Sequence, residues 1–209
     1  AAEVRFVPKP GLEQAVLVFG LAAPREDEPA YEALLVANMV YGGSYGARLN
    51  NDLREDKGWT YGVYSSLQSL RAAGGFWVQG QFRADAARRA LDAFRAHLKR
   101  LTAAPPTAAE LERAKANLVS ALTFSFESQA GVADRLLRDA MMQLPDSRLD
   151  GLVGRIQAVT AAQAQSAAKR WLAGGNFVVG VCADPAVQAA LAGFAPLVVA
   201  GPDGLPVSP

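Results

Sequence analysis

Residues 42–66, GGSYGARLNNDLREDKGWTYGVYSS, contain the turn that decides how this chain folds. The first half of the stretch has apolar residues at the spacing of a short helix, and Gly58 suits the left-handed position that ends such a helix. The residues from Tyr61 onward have the aromatic and β-branched composition of a strand. The stretch therefore predicts a helix, a rigid turn and a strand, with Arg54 just before the turn and Tyr61 just after it.

The sequence on either side of this stretch predicts further strands and helices. The predicted elements are a strand over 14–22, a helix over 29–41, a hairpin of 61–71 and 76–82, helices over 85–102, 107–142 with a break near Gly131, 148–159 and 161–172, a strand over 176–182 and a short helix over 185–191. Hairpin strands and helices gathered in long blocks favour an α+β fold, with a largely antiparallel sheet and helices packed on one face. We expect a single domain over residues 1–209, with a flexible tail from about residue 201.

Composition excludes several classes of function. Lys and Arg number 21 against 20 Asp and Glu, so the net charge of +1 provides no general attraction for nucleic acid or acidic membranes. No apolar run is long enough for a membrane span, and a single cysteine, Cys182, excludes an intrachain disulfide framework. Cytoplasm and periplasm both remain open. Because the chain begins at Ala1 without methionine, we expect a processed protein or a portion of a longer one.

The residue types that usually carry chemistry are scarce. His97 is the only histidine, so a self-sufficient zinc site is excluded and a structural or solvent-exposed role is expected. Cys182 lies in an apolar strand, which favours an inert thiol. Gly42, Gly43 and Ser44 lack the sequence of a phosphate-binding loop and are explained by a turn between helices. Exposed backbone amides in that turn could still contact a peptide, so these three residues are predicted to bind substrate.

Arg54 and Tyr61 allow two interpretations. A guanidinium fixed beside a phenolic hydroxyl is a pair of donors suited to a peptide carbonyl or a developing oxyanion. From physics alone, an ordinary surface ion pair and a strand aromatic are favoured over that reading.

The quoted stretch resembles a segment of the pitrilysin/insulinase family of zinc metallopeptidases, the inverzincins. In outline that segment reads Gly-Gly, then Ser-Arg-Leu, then Leu-Arg-Glu-x-x-Gly-x-x-Tyr. The matching residues here are Arg48-Leu49, Leu53-Arg54-Glu55, Gly58 and Tyr61. Ser44 stands earlier than the family's serine and Trp59 replaces a common leucine. More weakly, the order of elements over the whole chain is similar to that of the family's second domain, which does not bind zinc.

The resemblance implies a function. The family's first domain carries the inverted zinc motif H-x-x-E-H, which is absent from this sequence, so this chain alone is predicted to be inactive. Arg54 and Tyr61 would be its catalytic residues, the cofactor zinc would lie on a zinc-bearing pitrilysin-type partner domain or subunit, and the substrate would be a peptide. Two alternatives stay open: a non-catalytic scaffold or peptide-binding subunit, as in the core subunits of respiratory cytochrome complexes, and a fragment of a complete two-domain peptidase.

Overall fold

Residues 2–207 are described by a computed structural model, with the side chain of Asp146 excepted. The strands in this range are β1 (Glu3–Pro8), β2 (Gln14–Ala23), β3 (Thr60–Ser69), β4 (Gly74–Arg83), β5 (Val178–Ala183) and β6 (Leu197–Val199). They form one six-stranded sheet in the order β3-β4-β2-β5-β1-β6. The β3–β4, β4–β2 and β2–β5 pairs are antiparallel, whereas β1 runs parallel to β5 and β6. The predicted largely antiparallel sheet is therefore confirmed.

Two strands were not predicted. β1 alternates as a strand should, with Val4 and Phe6 fully buried, but charged Glu3 and Arg5 alternate with them. β6 has three residues and gives no periodic signal. Both strands are held by parallel pairing with a distant part of the chain, which the local sequence does not reveal.

The helices are α1 (Tyr31–Tyr41), α2 (Arg48–Asn50), α3 (Ala87–Ala103), α4 (Ala108–Ser125), α5 (Gln129–Met142), α6 (Leu152–Ala158) and α7 (Ala161–Leu172). α2 continues into a π-helix, Asn51–Asp56, named here the π-turn. Short 3₁₀ segments cover Ala84–Ala86, Asp146–Arg148 and Pro185–Leu191. None of the helices within residues 2–207 is long and apolar enough to cross a membrane.

The helix layer covers one face of the sheet, as predicted. Phe94 of α3 meets Phe19 of β2 and Phe82 of β4 edge to face, at 6.4 Å and 5.7 Å between ring centroids. Such pairs add to the burial of their large apolar surfaces. Within residues 2–207, no helix layer covers the opposite face of the sheet, and its alternate side chains are exposed; they include Val16, Val18, Tyr61, Tyr64 and Val178. This open face is where a ligand or partner has access.

Some predicted boundaries need correction. The helical break lies after Ser125 rather than near Gly131, because Ser128 caps α5 by accepting the Gly131 amide. Gly131 is a helical residue at which a Cβ atom would collide with the Ser125 carbonyl. The helix predicted from residue 148 begins at Leu152.

The C-terminal segment folds back on the sheet edge. The Gly201 amide donates to the Leu205 carbonyl, the Val207 amide donates to the Val199 carbonyl, and Ala200 forms an isolated bridge with Pro206. The flexibility predicted from residue 201 onward stays a prediction, and Ser208 and Pro209 lie outside the described residues.

Candidate functional site

The π-turn leads from α2 to β3 through a tight glycine turn. Its widened geometry is visible where the Lys57 amide donates to the Asp52 carbonyl at 3.1 Å. Gly58 has φ +59°, as predicted, and the Trp59 amide donates to the Leu53 carbonyl at 2.9 Å. Single π-turns inside helices occur frequently at functional sites. The turn is closed by backbone bonds and holds its two ends in fixed relation.

Tyr61 lies on a β-bulge at the start of β3. Thr60 pairs with Phe82 and Val63 pairs with Gly80, so Tyr61 and Gly62 together oppose one residue of β4. The Thr60 hydroxyl accepts the Gly62 amide at 3.1 Å and lies 2.9 Å from the Gly62 carbonyl. The bulge puts Tyr61, whose side chain is 89% exposed, on the open face of the sheet.

Asn50 joins the helical side of the turn to the strand. Its Oδ1 accepts the Val63 amide at 3.0 Å, and its Nδ2 donates to the Ser44 carbonyl at 3.3 Å. The Asn50 side chain is fully buried, so both bonds are shielded from water. Sequence reasoning missed this residue. The available signal was an amide side chain next to the buried Leu49.

Arg54 is engaged by its own chain. Its guanidinium stacks on the Tyr45 ring at 4.5 Å, and Nη1 donates to Glu55 Oε1 at 2.9 Å. The Tyr45 hydroxyl donates to the same Glu55 oxygen at 3.1 Å. Among residues 2–207, no hydrogen bond joins Arg54 to Tyr61. The structure brings Arg54 together with Tyr45 and Glu55, and connects it to Tyr61 only through the turn.

His97 anchors the π-turn to α3. It is buried, and its Nε2 lies 2.9 Å from Asp52 Oδ2, which also accepts from Lys57 Nζ at 3.0 Å. Burial alone would raise the pKa of Asp52, but the hydrogen bonds from His97 and Lys57 outweigh it and hold this pKa below its ordinary value. These contacts support the structural role expected for His97.

The turn residues 42–44 are tightly packed. The amides of Gly42 and Gly43 both donate to the Asn38 carbonyl, at 3.0 and 2.8 Å. A Cβ atom at Gly42 would lie 2.8 Å from the Ser65 hydroxyl oxygen, so this position needs glycine for space. The Ser44 hydroxyl lies 3.4 Å from the Met39 carbonyl. Packing explains the glycines, and a substrate contact by Gly42, Gly43 or Ser44 stays a prediction.

A shallow hollow of about 520 Å³ lies beside Tyr61 on the open face. Tyr64 and the β2 residues Val16 and Val18 supply its apolar walls, and Gln79 and Gln81 supply neutral amides. No charged side chain lines it, so the hollow suits uncharged parts of a peptide. Within the described part of the chain, no three His, Cys, Asp or Glu side chains group as metal ligands do.

Comparison with known proteins gives the family. The profile described as "Peptidase M16 inactive domain" matches residues 1–118, more than half of the 209 residues. The chain is 28% identical over 158 residues to "Uncharacterized zinc protease YmxG" of Bacillus subtilis, covering 76% of this chain and 39% of YmxG.

Solved structures agree on the fold. A peptidase M16 inactive domain from Pseudomonas fluorescens has a TM-score of 0.79 and 28% identity, covering 88% of this chain and 44% of that one. A protease from Helicobacter pylori has a TM-score of 0.76 and 17% identity, covering 87% and 44%. The chain thus spans less than half the length of these relatives. It belongs to the peptidase M16 inactive-domain family, which confirms the pitrilysin/insulinase resemblance of residues 42–66.

Proposed function

We propose that this chain is the non-zinc-binding half of an M16-type metallopeptidase. Arg54 and Tyr61 would bind the substrate peptide and stabilise the transition state, while zinc lies on a partner domain or subunit. The observation that carries the proposal is the bulge at Tyr61, which presents the phenol from a rigid strand start beside a neutral hollow. A donor carried on a fixed backbone needs less reorganisation as charge develops on a substrate.

Tyr61 is assigned the larger role. Its O–H donates to the carbonyl oxygen of the bond being cleaved, and this hydrogen bond strengthens as negative charge grows on that oxygen. Zinc on the partner domain supplies a Lewis acid and an activated water. The Thr60 and Asn50 contacts on either side of the bulge hold the backbone that bears the phenol.

Arg54 is assigned to binding a neighbouring substrate carbonyl. A guanidinium has several N–H donors, and Glu55 occupies only Nη1. The guanidinium lies over the Tyr45 ring, 4.5 Å from its centroid, and this contact helps to hold it in position for further hydrogen bonds. The side chain is 31% exposed, so a peptide can approach it without unfolding of the turn.

A scaffold or peptide-holding subunit remains the alternative, and one observation favours it. The Arg54–Glu55–Tyr45 contacts are self-contained, as in a surface cluster that has only a structural role. The scaffold reading requires no zinc-bearing partner. The matched part makes up less than half of each of these relatives. The zinc-bearing partner of the first proposal is therefore either a further segment of the same polypeptide or a separate subunit.

The test is peptide hydrolysis by the zinc-bearing assembly carrying Tyr61→Phe or Arg54→Ala. We expect Tyr61→Phe to lower kcat by about a hundred- to a thousandfold, because one preorganised donor to the transition state is lost. Arg54→Ala should raise KM and lower kcat by a smaller factor. Single-turnover and steady-state kinetics separate the two effects.

Matched controls are available in the same chain. Thr123→Val removes an exposed hydroxyl from α4, outside the hollow. Arg88→Ala removes a guanidinium that is also 31% exposed, pairs with Asp92 and lies over the Phe194 ring, but belongs to α3. Both controls should retain kcat. Unchanged kcat in Tyr61→Phe and Arg54→Ala would instead establish the scaffold reading.

A further inference from the structure

Helix α5 presents its apolar side to solvent. Arg135 and Asp139 point into the protein, with side chains 13% and 9% exposed, whereas Leu136 and Leu137 are 57% and 61% exposed. At about 100° per residue, the outward residues cover about half of the helix circumference. They form the α5 face, which consists of Val132, Ala133, Leu136, Leu137, Ala140 and Met141, with the exposed Asp134 at its edge.

Ion pairs to the buried carboxylate of Glu26 fix this orientation. Arg135 Nη2 and Arg138 Nη2 donate to the two carboxylate oxygens of Glu26, at 2.9 and 2.6 Å, and Arg135 Nε donates to Asp139 at 3.0 Å. The Glu26 side chain is 5% exposed. Turning the helix to bury its leucines would leave this carboxylate without partners in a low-dielectric site, which is strongly unfavourable. The exposure of the leucines is therefore built into the fold.

The α5 face is remote from the Arg54–Tyr61 site. Arg25 Nη1 donates to the Arg71 carbonyl at 2.6 Å and Nη2 to the Met142 carbonyl at 3.5 Å, which ties the end of α5 to the tip of the β3–β4 hairpin. Tyr61 lies at the opposite end of β3, a strand of 10 residues, and so about 30 Å away. A contact made at the α5 face would therefore not itself cover Arg54 or Tyr61.

We propose that the α5 face is the docking surface for the zinc-bearing M16-type domain. This inference rests on the proposed function for the identity of that partner. A helical face that is apolar at its centre and carries charge only at its edge is typical of permanent interfaces rather than of transient ones. An exposed apolar surface of this kind marks a contact with another protein. In the relatives, the matched part is 39–44% of the chain, so most of each polypeptide is left to supply the occupant.

The occupant presents an apolar surface of its own. Asp134, at the edge of the α5 face, is its one exposed charge among the described residues, so a charged counterpart at the centre of the face would be desolvated without compensation. Contact at the hairpin tip would let the partner domain close over the open sheet face from the end opposite Tyr61. The proposal therefore places the docking contact of α5 near the hairpin end of β3 and Tyr61 at the opposite end of that strand.

Hydroxyl-radical footprinting tests directly whether the α5 face is a docking surface. This chain alone and the complete zinc-bearing assembly are oxidised in parallel, and labelling is read at Leu136, Leu137 and Met141. We expect labelling of the α5 face to fall by about tenfold in the assembly, as for residues at an interface core. Undiminished labelling in the assembly would overturn the proposal. So would protection that already develops in the isolated chain as its concentration and mass rise, because a second copy would then be the occupant.

A paired substitution makes the test quantitative. Leu136→Gln with Leu137→Gln should weaken association, or raise interdomain opening, by about a hundredfold. The matched control is Leu205→Gln with Val207→Gln, two apolar residues that are 61% and 59% exposed in the C-terminal turn. Circular dichroism checks that both pairs of variants are folded, and equal association of the two pairs would overturn the proposal.

The outcome is separable from that of the proposed function. The Leu136 and Leu137 changes should reduce the amount of assembly while leaving kcat per assembled molecule unchanged. Tyr61→Phe should do the reverse. If Tyr61→Phe retained kcat while the leucine variant failed to assemble, the catalytic role of Tyr61 would be refuted and the α5 docking surface would be supported.

Discussion

Helices α3 and α5 are both amphipathic and have 17 and 14 residues, yet they bury opposite kinds of side chain. α3 buries Leu91, Phe94 and Leu98 and exposes its arginines. α5 buries Arg135 and exposes its leucines. The two helices show that a periodic pattern locates the stripes of a helix without telling which stripe faces the protein.

The surfaces beneath the two helices explain the difference. α3 lies on the aromatic side of the sheet, where Phe19 and Phe82 meet Phe94 and apolar side chains pack together. α5 lies over Glu26, a carboxylate that is itself almost fully buried. A buried carboxylate must be paired, so the side of α5 that faces Glu26 is the side that carries arginines.

The largest effect is expected from removing this carboxylate. Glu26→Ala leaves Arg135 and Arg138 without the acceptor they share, which should lower the free energy of unfolding by about 3–5 kcal/mol. Urea unfolding followed by circular dichroism measures the loss. Hydrogen exchange should show α5 opening before α3.

Glu26→Gln serves as the control for shape. It keeps an acceptor oxygen in place and should lose less stability than Glu26→Ala. If Glu26→Ala unfolds at the same urea concentration as the wild type, the ion pairs do not determine the orientation of α5.

Matched leucine deletions sharpen the comparison. Leu91→Ala on α3 removes a fully buried side chain and should cost about 2–5 kcal/mol because it leaves a cavity. Leu137→Ala on α5 removes a side chain that is 61% exposed and should change stability by about 0.5 kcal/mol or less. Both values come from urea titrations of the isolated chain. Similar losses for the two variants would mean that the α5 face is covered in solution.

Local signals predicted much of the fold. The hairpin, the glycine turn and α3 were all expected, since each depends on residues close together in the sequence. Gly58 illustrates this, because its positive φ is demanded by the helix end beside it. The family motif added the assignment of Arg54 and Tyr61, which composition alone did not favour.

The remaining features depend on contacts between distant residues. β1 exists because β5 and β6 pair with it, and α5 is oriented by Glu26, more than a hundred residues away. At the site, the π-turn and the bonds of Asn50 to Ser44 and Val63 also come from packing rather than from periodicity. The stacking of Arg54 on Tyr45 had no signal in the spacing of the sequence.

A smaller loss of stability is expected at acidic pH, where buried ion pairs such as those of Glu32 are weakened. Glu32 of α1 accepts from Arg148 at 2.7 Å and from Arg155 of α6 at 2.9 Å. Burial alone would raise the pKa of Glu32, but the hydrogen bonds from Arg155 and Arg148 outweigh it and lower this pKa below 4.5. In the unfolded chain the same carboxyl titrates near its ordinary value.

The sign of the pH dependence follows from that difference. Stability contributed by Glu32 is fully present above about pH 4.5 and is lost as the pH falls through the lower pKa of the folded state. Urea titrations from about pH 7 to about pH 3 should therefore show a smaller acid loss for Glu32→Gln than for the wild type. Leu91→Ala should shift stability equally at every pH, because no proton is bound or released at that site. If Glu32→Gln retained the full acid dependence of the wild type, the ion pairs of Glu32 with Arg148 and Arg155 would not be the source of that dependence.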